Sequence, residues 1–260
     1  MKVILFFACF YLVICLYIYF RQESFIFYPD ILPDDYEFVE FKGAADELYF
    51  EPETGVKLHA LKFKVPNPKG VILYFHGNAR ALDNWGYIGA DLLPHGYDIV
   101  IPDYRGYGKS KGPFSQENLF KDAQYIYDQL ALNYGEAQIT LYGRSLGSGI
   151  ASFLASKTNP KVLILETPYF SMNRMASELM PFFPTRLILK YDFRSDLFLQ
   201  KVSCPIHIFH GTEDELIPYK HAVELKKLLP SIDFTTIPNA THNNLDQFAL
   251  FNRKIATILK

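Results

Sequence analysis

Gln138-Ile139-Thr140-Leu141-Tyr142-Gly143-Arg144-Ser145-Leu146-Gly147-Ser148-Gly149-Ile150-Ala151 is the stretch on which the reading of this chain turns. Gln138–Tyr142 is short, apolar and β-prone and predicts a buried strand, while Leu146–Ser156 predicts a helix. Between them, Gly143-Arg144-Ser145-Leu146-Gly147 fits the pattern G-x-S-x-G, a sharp strand-to-helix turn that lifts a serine hydroxyl clear of a sheet. Glycines flank the serine where a Cβ would clash. The helix behind aims its first N–H groups and its positive dipole end at charge developing beside the serine. Five such residues recur by chance, and a Ser-Gly turn without chemistry is the bland reading. The strand before and the helix after give the pattern its meaning.

A serine nucleophile needs a base, and the base needs a group to orient it. Behind such a turn, the acid and then the histidine follow the serine along the chain. After the predicted strand Ile206–Phe209 comes His210-Gly211-Thr212-Glu213-Asp214-Glu215. Its acids lie at the carboxyl end of a strand, where open α/β sheets place their sites. Asp214 is the expected acid, with Glu213 and Glu215 as solvated neighbours and Glu166 as the rival at the end of the preceding strand. Of seven histidines, only His242 lies beyond the last predicted strand, in a loop before the final helix, so His242 is the expected base. His76 and His210 are expected to brace loops. The oxyanion hole calls for the N–H of Leu146 and a second donor, expected from Asn78 in the loop His76-Gly77-Asn78-Ala79. No pair of residues has metal-ligand spacing with a carboxylate nearby, so neither a metal site nor a cofactor is expected.

Outward from this centre, strands are predicted at 56–65, 71–75, 98–101, 161–165, 206–209 and 233–237, with helices at 81–93, 116–132, 219–229 and 244–259. Apolar strands separated by helices imply a parallel sheet covered on both faces. About 40 residues between Leu165 and Ile206 break the alternation, and a helical cap insertion over about 168–200 is expected there. Met172, Met175 and Leu179 stand in it at helical spacing. They form either a core stripe or the wall of an acyl pocket over the serine.

Val3–Phe20 is an unbroken run of 18 residues without a charge, long enough to cross a hydrocarbon core. It ends in aromatics and Arg21 with no small-x-small cleavage site, so residues 1–22 are read as an uncleaved membrane anchor and 23–260 as the folded domain. Lys2 and the amino terminus set against Arg21 lean toward an inside amino terminus, with the domain outside the cytoplasm. The formal net charge is −2, from 26 basic and 28 acidic residues with no basic run, which gives no reason to expect a nucleic-acid partner. Hydrophobic residues are 49% and charged residues 21%, which excludes global disorder. Two of three cysteines lie in the anchor, so Cys204 has no disulfide partner in the domain. A monomer is expected.

Phe75-His76-Gly77-Asn78-Ala79, Asp103-Tyr104-Arg105-Gly106-Tyr107-Gly108-Lys109-Ser110, Gly143–Gly147, His210-Gly211-Thr212-Glu213-Asp214 and Thr241-His242-Asn243 together resemble the α/β-hydrolase superfamily. With Phe27-Tyr28-Pro29 after the anchor, the chain looks like its membrane-anchored branch, which includes protein depalmitoylase relatives. The resemblance implies a mostly parallel eight-stranded sheet with helices on both faces. It also implies a triad of Ser145, Asp214 and His242, and a structural loop at Asp103–Ser110. By this reading the chain is a serine hydrolase of carboxylic esters or thioesters, acting on an acyl-containing small molecule, a lipid or an acylated protein. An aminopeptidase-like amide hydrolase and an inactive hydrolase-fold binding module are the alternatives. Relatives tend to carry glycines where this chain has Asn239-Ala240-Thr241.

Overall fold

The computed structural model describes residues 1–260. Eight strands form one sheet: β1 Ala45–Phe50, β2 Leu58–Phe63, β3 Val71–Phe75, β4 Asp98–Pro102, β5 Ile139–Arg144, β6 Val162–Glu166, β7 Ile206–Gly211 and β8 Asp233–Ile237, in the order β1-β2-β4-β3-β5-β6-β7-β8. β2 runs antiparallel to β1 and β4, and all other pairings are parallel. The helices are α1 Lys2–Ile26, α2 Leu82–Trp85, α3 Tyr87–Leu92, α4 Gln116–Tyr134, α5 Leu146–Ala155, α6 Met172–Leu179, α7 Thr185–Ile188, α8 Ser195–Phe198, α9 Lys220–Leu228 and α10 Ala249–Ile258.

Alternation along the central strands splits the core in two. Val71, Leu73 and Phe75 of β3, with Leu141 of β5 and Leu163 of β6, face one cluster that also holds residues of α4, α5 and α9. Ile72, Tyr74, Tyr142 and Ile164 face the other, with residues of α2, α3 and α10. The chain leaves β3 toward β4 on one side and returns to β5 on the other. The carboxyl ends of β3 and β5 therefore open a crevice, where open α/β sheets bind ligands.

Several elements differ from their sequence reading. β1 was not expected: its Asp46 and Glu47 are exposed, as on an edge that resists further pairing. The helix expected over 81–93 is divided at Gly86, where a Cβ would lie 2.3 Å from the Phe41 ring. The final helix begins at Ala249, after a 3₁₀ turn at Leu245–Gln247. Between β6 and β7, the expected single stripe is broken into α6, α7 and α8. Pro181 and Pro184 stand between α6 and α7, and proline cannot supply a helical N–H.

The loop Asp103–Ser110 binds the elements together. Arg105 donates two hydrogen bonds of 2.7 Å to Asp122 of α4, both residues being buried. The Ser110 hydroxyl accepts from His59 N at 2.8 Å, and Tyr104 donates to the His76 carbonyl at 2.6 Å.

Candidate active site

The turn between β5 and α5 puts Ser145 at φ +51°, ψ −117°, a costly backbone state for a residue with a Cβ. Its surroundings hold it there. Ser145 N donates to the Glu166 carbonyl of β6 at 2.9 Å. A Cβ on Gly143 would meet the Gly147 carbonyl oxygen at 2.5 Å, and one on Gly147 would meet that of Phe75 at 2.1 Å. The two glycines let α5 close down on β3 and β5 tightly enough to form the turn.

His242 Nε2 lies 3.0 Å from Ser145 Oγ, and His242 Nδ1 lies 2.8 Å from Asp214 Oδ2. The other carboxylate oxygen, Asp214 Oδ1, accepts from Leu216 N at 2.9 Å and Ile217 N at 2.8 Å, and His210 Nε2 is 3.2 Å from Oδ2. Burial pushes the Asp214 pKa up, but the hydrogen bonds from His210, His242 and Ile217 outweigh it and hold the carboxyl well below the usual carboxylate range. An ionised carboxylate only accepts, so Nδ1 of a neutral His242 carries the proton and Nε2 presents its lone pair to the serine hydroxyl. The histidine loop turns at Asn239, with φ +63°. Asparagine tolerates that conformation better than most side chains, so it serves where a glycine would.

Glu166, the rival acid, is turned away from His242. It accepts from Tyr142 at 2.8 Å and pairs with Arg144 Nε at 3.2 Å. Arg144 in turn donates to the His242 carbonyl at 3.3 Å and to Asn243 Oδ1 at 3.2 Å, with its guanidinium 5.3 Å from the Trp85 ring centroid. Tyr142, Arg144, Glu166 and Asn243 line a cavity of about 330 Å3 together with Tyr74 and Asp246, on the face opposite α5. Sequence reasoning missed Arg144, because the residue before the serine in G-x-S-x-G is unspecified and carries no spacing signal. His76 and His210 lie at strand ends as braces: Asp103 Oδ1 is 3.3 Å from His76, and the Ile217 carbonyl accepts from His210 at 2.8 Å.

The backbone N–H groups of Asn78 and Leu146 donate to no protein group. A Cβ on Gly77 would lie 3.5 Å from Ser145 Cβ, so the Asn78 loop adjoins the serine. The Asn78 side chain is spoken for. Its Nδ2 donates to the Ile26 carbonyl at the end of α1, and its Oδ1 accepts from Tyr28 N at 3.3 Å, Tyr107 Oη at 2.9 Å and Ala79 N at 2.9 Å. Nothing in the spacing of the sequence pointed to this tie between the apolar helix and the loop.

The three residues weighed for an acyl pocket separate. Met172 and Met175 pack partly buried against the larger core cluster, whereas Leu179 is 76% exposed. The insertion starts against the elbow, where Tyr169 donates to the Leu146 carbonyl at 3.2 Å.

A family model described as alpha/beta hydrolase fold matches residues 70–192. The chain is 30% identical over 204 residues to alpha/beta hydrolase domain-containing protein aho-3 of Caenorhabditis elegans, covering 75% of this chain and 59% of that protein. It is 32% identical over 197 residues to human alpha/beta hydrolase domain-containing protein 17C, covering 73% and 58%. It is 31% identical over 182 residues to the zebrafish (Danio rerio) lysophosphatidylserine lipase ABHD12, covering 61% and 47%. The chain thus spans less than two thirds of the length of these relatives. In three dimensions it resembles the Pyrococcus furiosus esterase Pf2001, with a TM-score of 0.71 at 16% identity over 90% of this chain and 97% of that one. Acetyl xylan esterase 1 from Thermoanaerobacterium gives a TM-score of 0.66 at 16% identity over 83% of each chain. Strand order, elbow and sequence likeness agree, and the chain belongs to the α/β-hydrolase superfamily.

Proposed function

We propose that the chain is a membrane-anchored serine hydrolase that cleaves carboxylic esters or thioesters through an acyl-enzyme. The observation that carries this reading is the continuous path Ser145 Oγ, His242 Nε2, His242 Nδ1, Asp214 Oδ2, with steps of 3.0 Å and 2.8 Å, at a strained elbow. His242 takes the hydroxyl proton as Ser145 Oγ attacks the acyl carbonyl. The resulting oxyanion sits against the free N–H groups of Leu146 and Asn78. The imidazolium, held by Asp214, gives its proton to the departing alcohol or thiol. Water then attacks the acyl-serine, losing its proton to His242, and the acid leaves. A lipase-named relative and esterase-named structural neighbours favour acyl substrates with an apolar part.

The anchor is α1. It has 25 residues, a mean hydropathy of 2.6 over its most apolar stretch, and only 6% of that stretch buried against the protein. At 1.5 Å per residue such a helix exceeds the roughly 30 Å of a hydrocarbon core. The amino terminus and Lys2 favour an inside amino terminus with the domain outside, which protease protection in sealed vesicles tests. The chemistry is tested by Ser145→Ala: fluorophosphonate labelling and ester hydrolysis should both vanish while the circular dichroism spectrum is unchanged. Near-normal turnover by that variant overturns the proposal.

A further inference from the structure

We propose that the tip of the insertion, residues 179–190, is itself a membrane-inserting surface that lies beside α1 among the lipid acyl chains and admits substrate to Ser145 from the bilayer. This rests on reading α1 as a membrane anchor and adds a second, non-helical element to it.

The contacts between the two segments advance in step. The Tyr11 ring stacks on Phe183 with centroids 5.7 Å apart and planes 14° apart, and Tyr11 donates to the Phe182 carbonyl at 2.7 Å. Farther along α1, Gln22 donates to the Ile188 carbonyl at 2.9 Å and accepts from Lys190 N at 2.7 Å. Glu23 then accepts from Tyr191 at 2.8 Å. Residues 182–191 therefore climb alongside α1 from Glu23 to Tyr11, which at 1.5 Å per residue is about 18 Å. With Glu23 at the water boundary, Phe182 stands more than halfway through a hydrocarbon core of about 30 Å.

The chemistry of the tip fits that depth. Leu179, Phe182 and Leu187 are 76, 86 and 80% exposed, and all lie within nine residues. Irregular backbone is tolerated among lipid only where its polar groups find protein partners. Here the hydroxyl of Tyr11 and the amide of Gln22 supply those partners. Arg174, Arg186, Asp192, Arg194 and Asp196, together with Phe183 and Leu187, line a cavity of about 1010 Å3 in the insertion, and charged side chains at membrane depth face such cavities. Lys190 lies 4.8 Å from the Tyr19 ring centroid, an arrangement suited to the interface. Both roots of the surface reach residues that flank the serine. Tyr169 at the start of the insertion bonds the Leu146 carbonyl, and Ile26 at the end of α1 is bonded by Asn78.

The test uses the full chain in phosphatidylcholine vesicles, with Phe182→Trp and Leu187→Trp compared against the parent, whose one tryptophan is Trp85. Lipids brominated at mid-chain should quench the added fluorescence at 182 and 187, and aqueous iodide should not. Leu132→Trp, at an exposed position of α4, should show the reverse. Phe182→Asp and Leu187→Asp should lower hydrolysis of a vesicle-borne lipid ester by at least about tenfold, since a carboxylate in lipid is costly. Both should leave p-nitrophenyl acetate hydrolysis within about twofold, a change too small to mark a damaged triad. Iodide quenching at 182 and 187 in a chain that floats with vesicles overturns this proposal and leaves the anchor standing. A chain that does not float overturns both. Equal loss on both esters assigns the tip to folding and overturns its part in substrate delivery.

Discussion

Ser145 keeps its left-handed backbone because Glu166, Gly143 and Gly147 leave it no alternative, and its proposed role as nucleophile depends on a histidine whose position is also imposed. Asp214→Asn should lower kcat by roughly 10⁴-fold and His242→Ala by more, because the acid orients the base and does not take the proton itself. Steady-state kinetics on one ester would rank them, and the opposite order would contradict the assigned roles. Arg144 ties the His242 carbonyl to Glu166, so Arg144→Gln should lower kcat roughly tenfold with little change in KM, and Arg144→Lys should recover part of it. A change confined to KM would remove Arg144 from this role. Ser145, Asp214 and His242 were legible because chain order along strand ends is itself a constraint. Arg144 and the side chain of Asn78 were not. Their partners, Asn243 and Ile26, are 99 and 52 residues away in sequence, and only the folded chain brings them near.

The sheet strands β3 to β7 could be read from apolar runs because both faces are covered. β1 could not, since an exposed edge strand with Asp46 and Glu47 looks like a loop. Met172, Met175 and Leu179 keep helical spacing and fall in α6, but Pro181 and Pro184 end that helix before α7. Close packing of α5 on β3 makes a clear prediction: Gly147→Ala should cost about 2 kcal/mol or more and lower the thermal midpoint, because its Cβ would meet backbone rather than a movable side chain. On β2, burial pushes the His59 pKa down to about 4, with Glu47 opposing and Lys109 assisting. The neutral ring belongs to the fold, while the unfolded chain takes up a proton near about pH 6.5. Stability from this residue is therefore complete above that pH and is lost as pH falls toward 4, by an amount on the order of 3 kcal/mol. Urea titrations between pH 7 and 4 should show this slope in the parent protein and a flatter one in His59→Asn.

Nothing flexible separates α1 from the hydrolase domain. Phe27 is buried in the larger core cluster, Tyr28 N and the Ile26 carbonyl hold Asn78, and Gln22 and Glu23 hold the insertion. A shortened chain beginning at Gln22 keeps all of these contacts and should be soluble and active. One beginning at Asp30 loses two supports of Asn78, the Ile26 carbonyl and Tyr28 N, and should fall in kcat by up to roughly 10²-fold, the usual cost of one oxyanion donor, as measured on a water-soluble ester. Equal activity of the two would show that the oxyanion loop needs no such support.

With α1 anchored in a bilayer as proposed, the joint at residues 26–28 would make the enzyme a ruler. Ser145 would then have a set altitude above the membrane and could not swing outward on a tether. Acyl groups should be sorted by how far their carbonyl stands from the membrane, before any recognition of what they are attached to. A series of lipid-anchored esters with progressively longer spacers between headgroup and carbonyl should be cleaved up to one length and then abruptly ignored, whereas the same esters free in detergent solution should be cleaved alike.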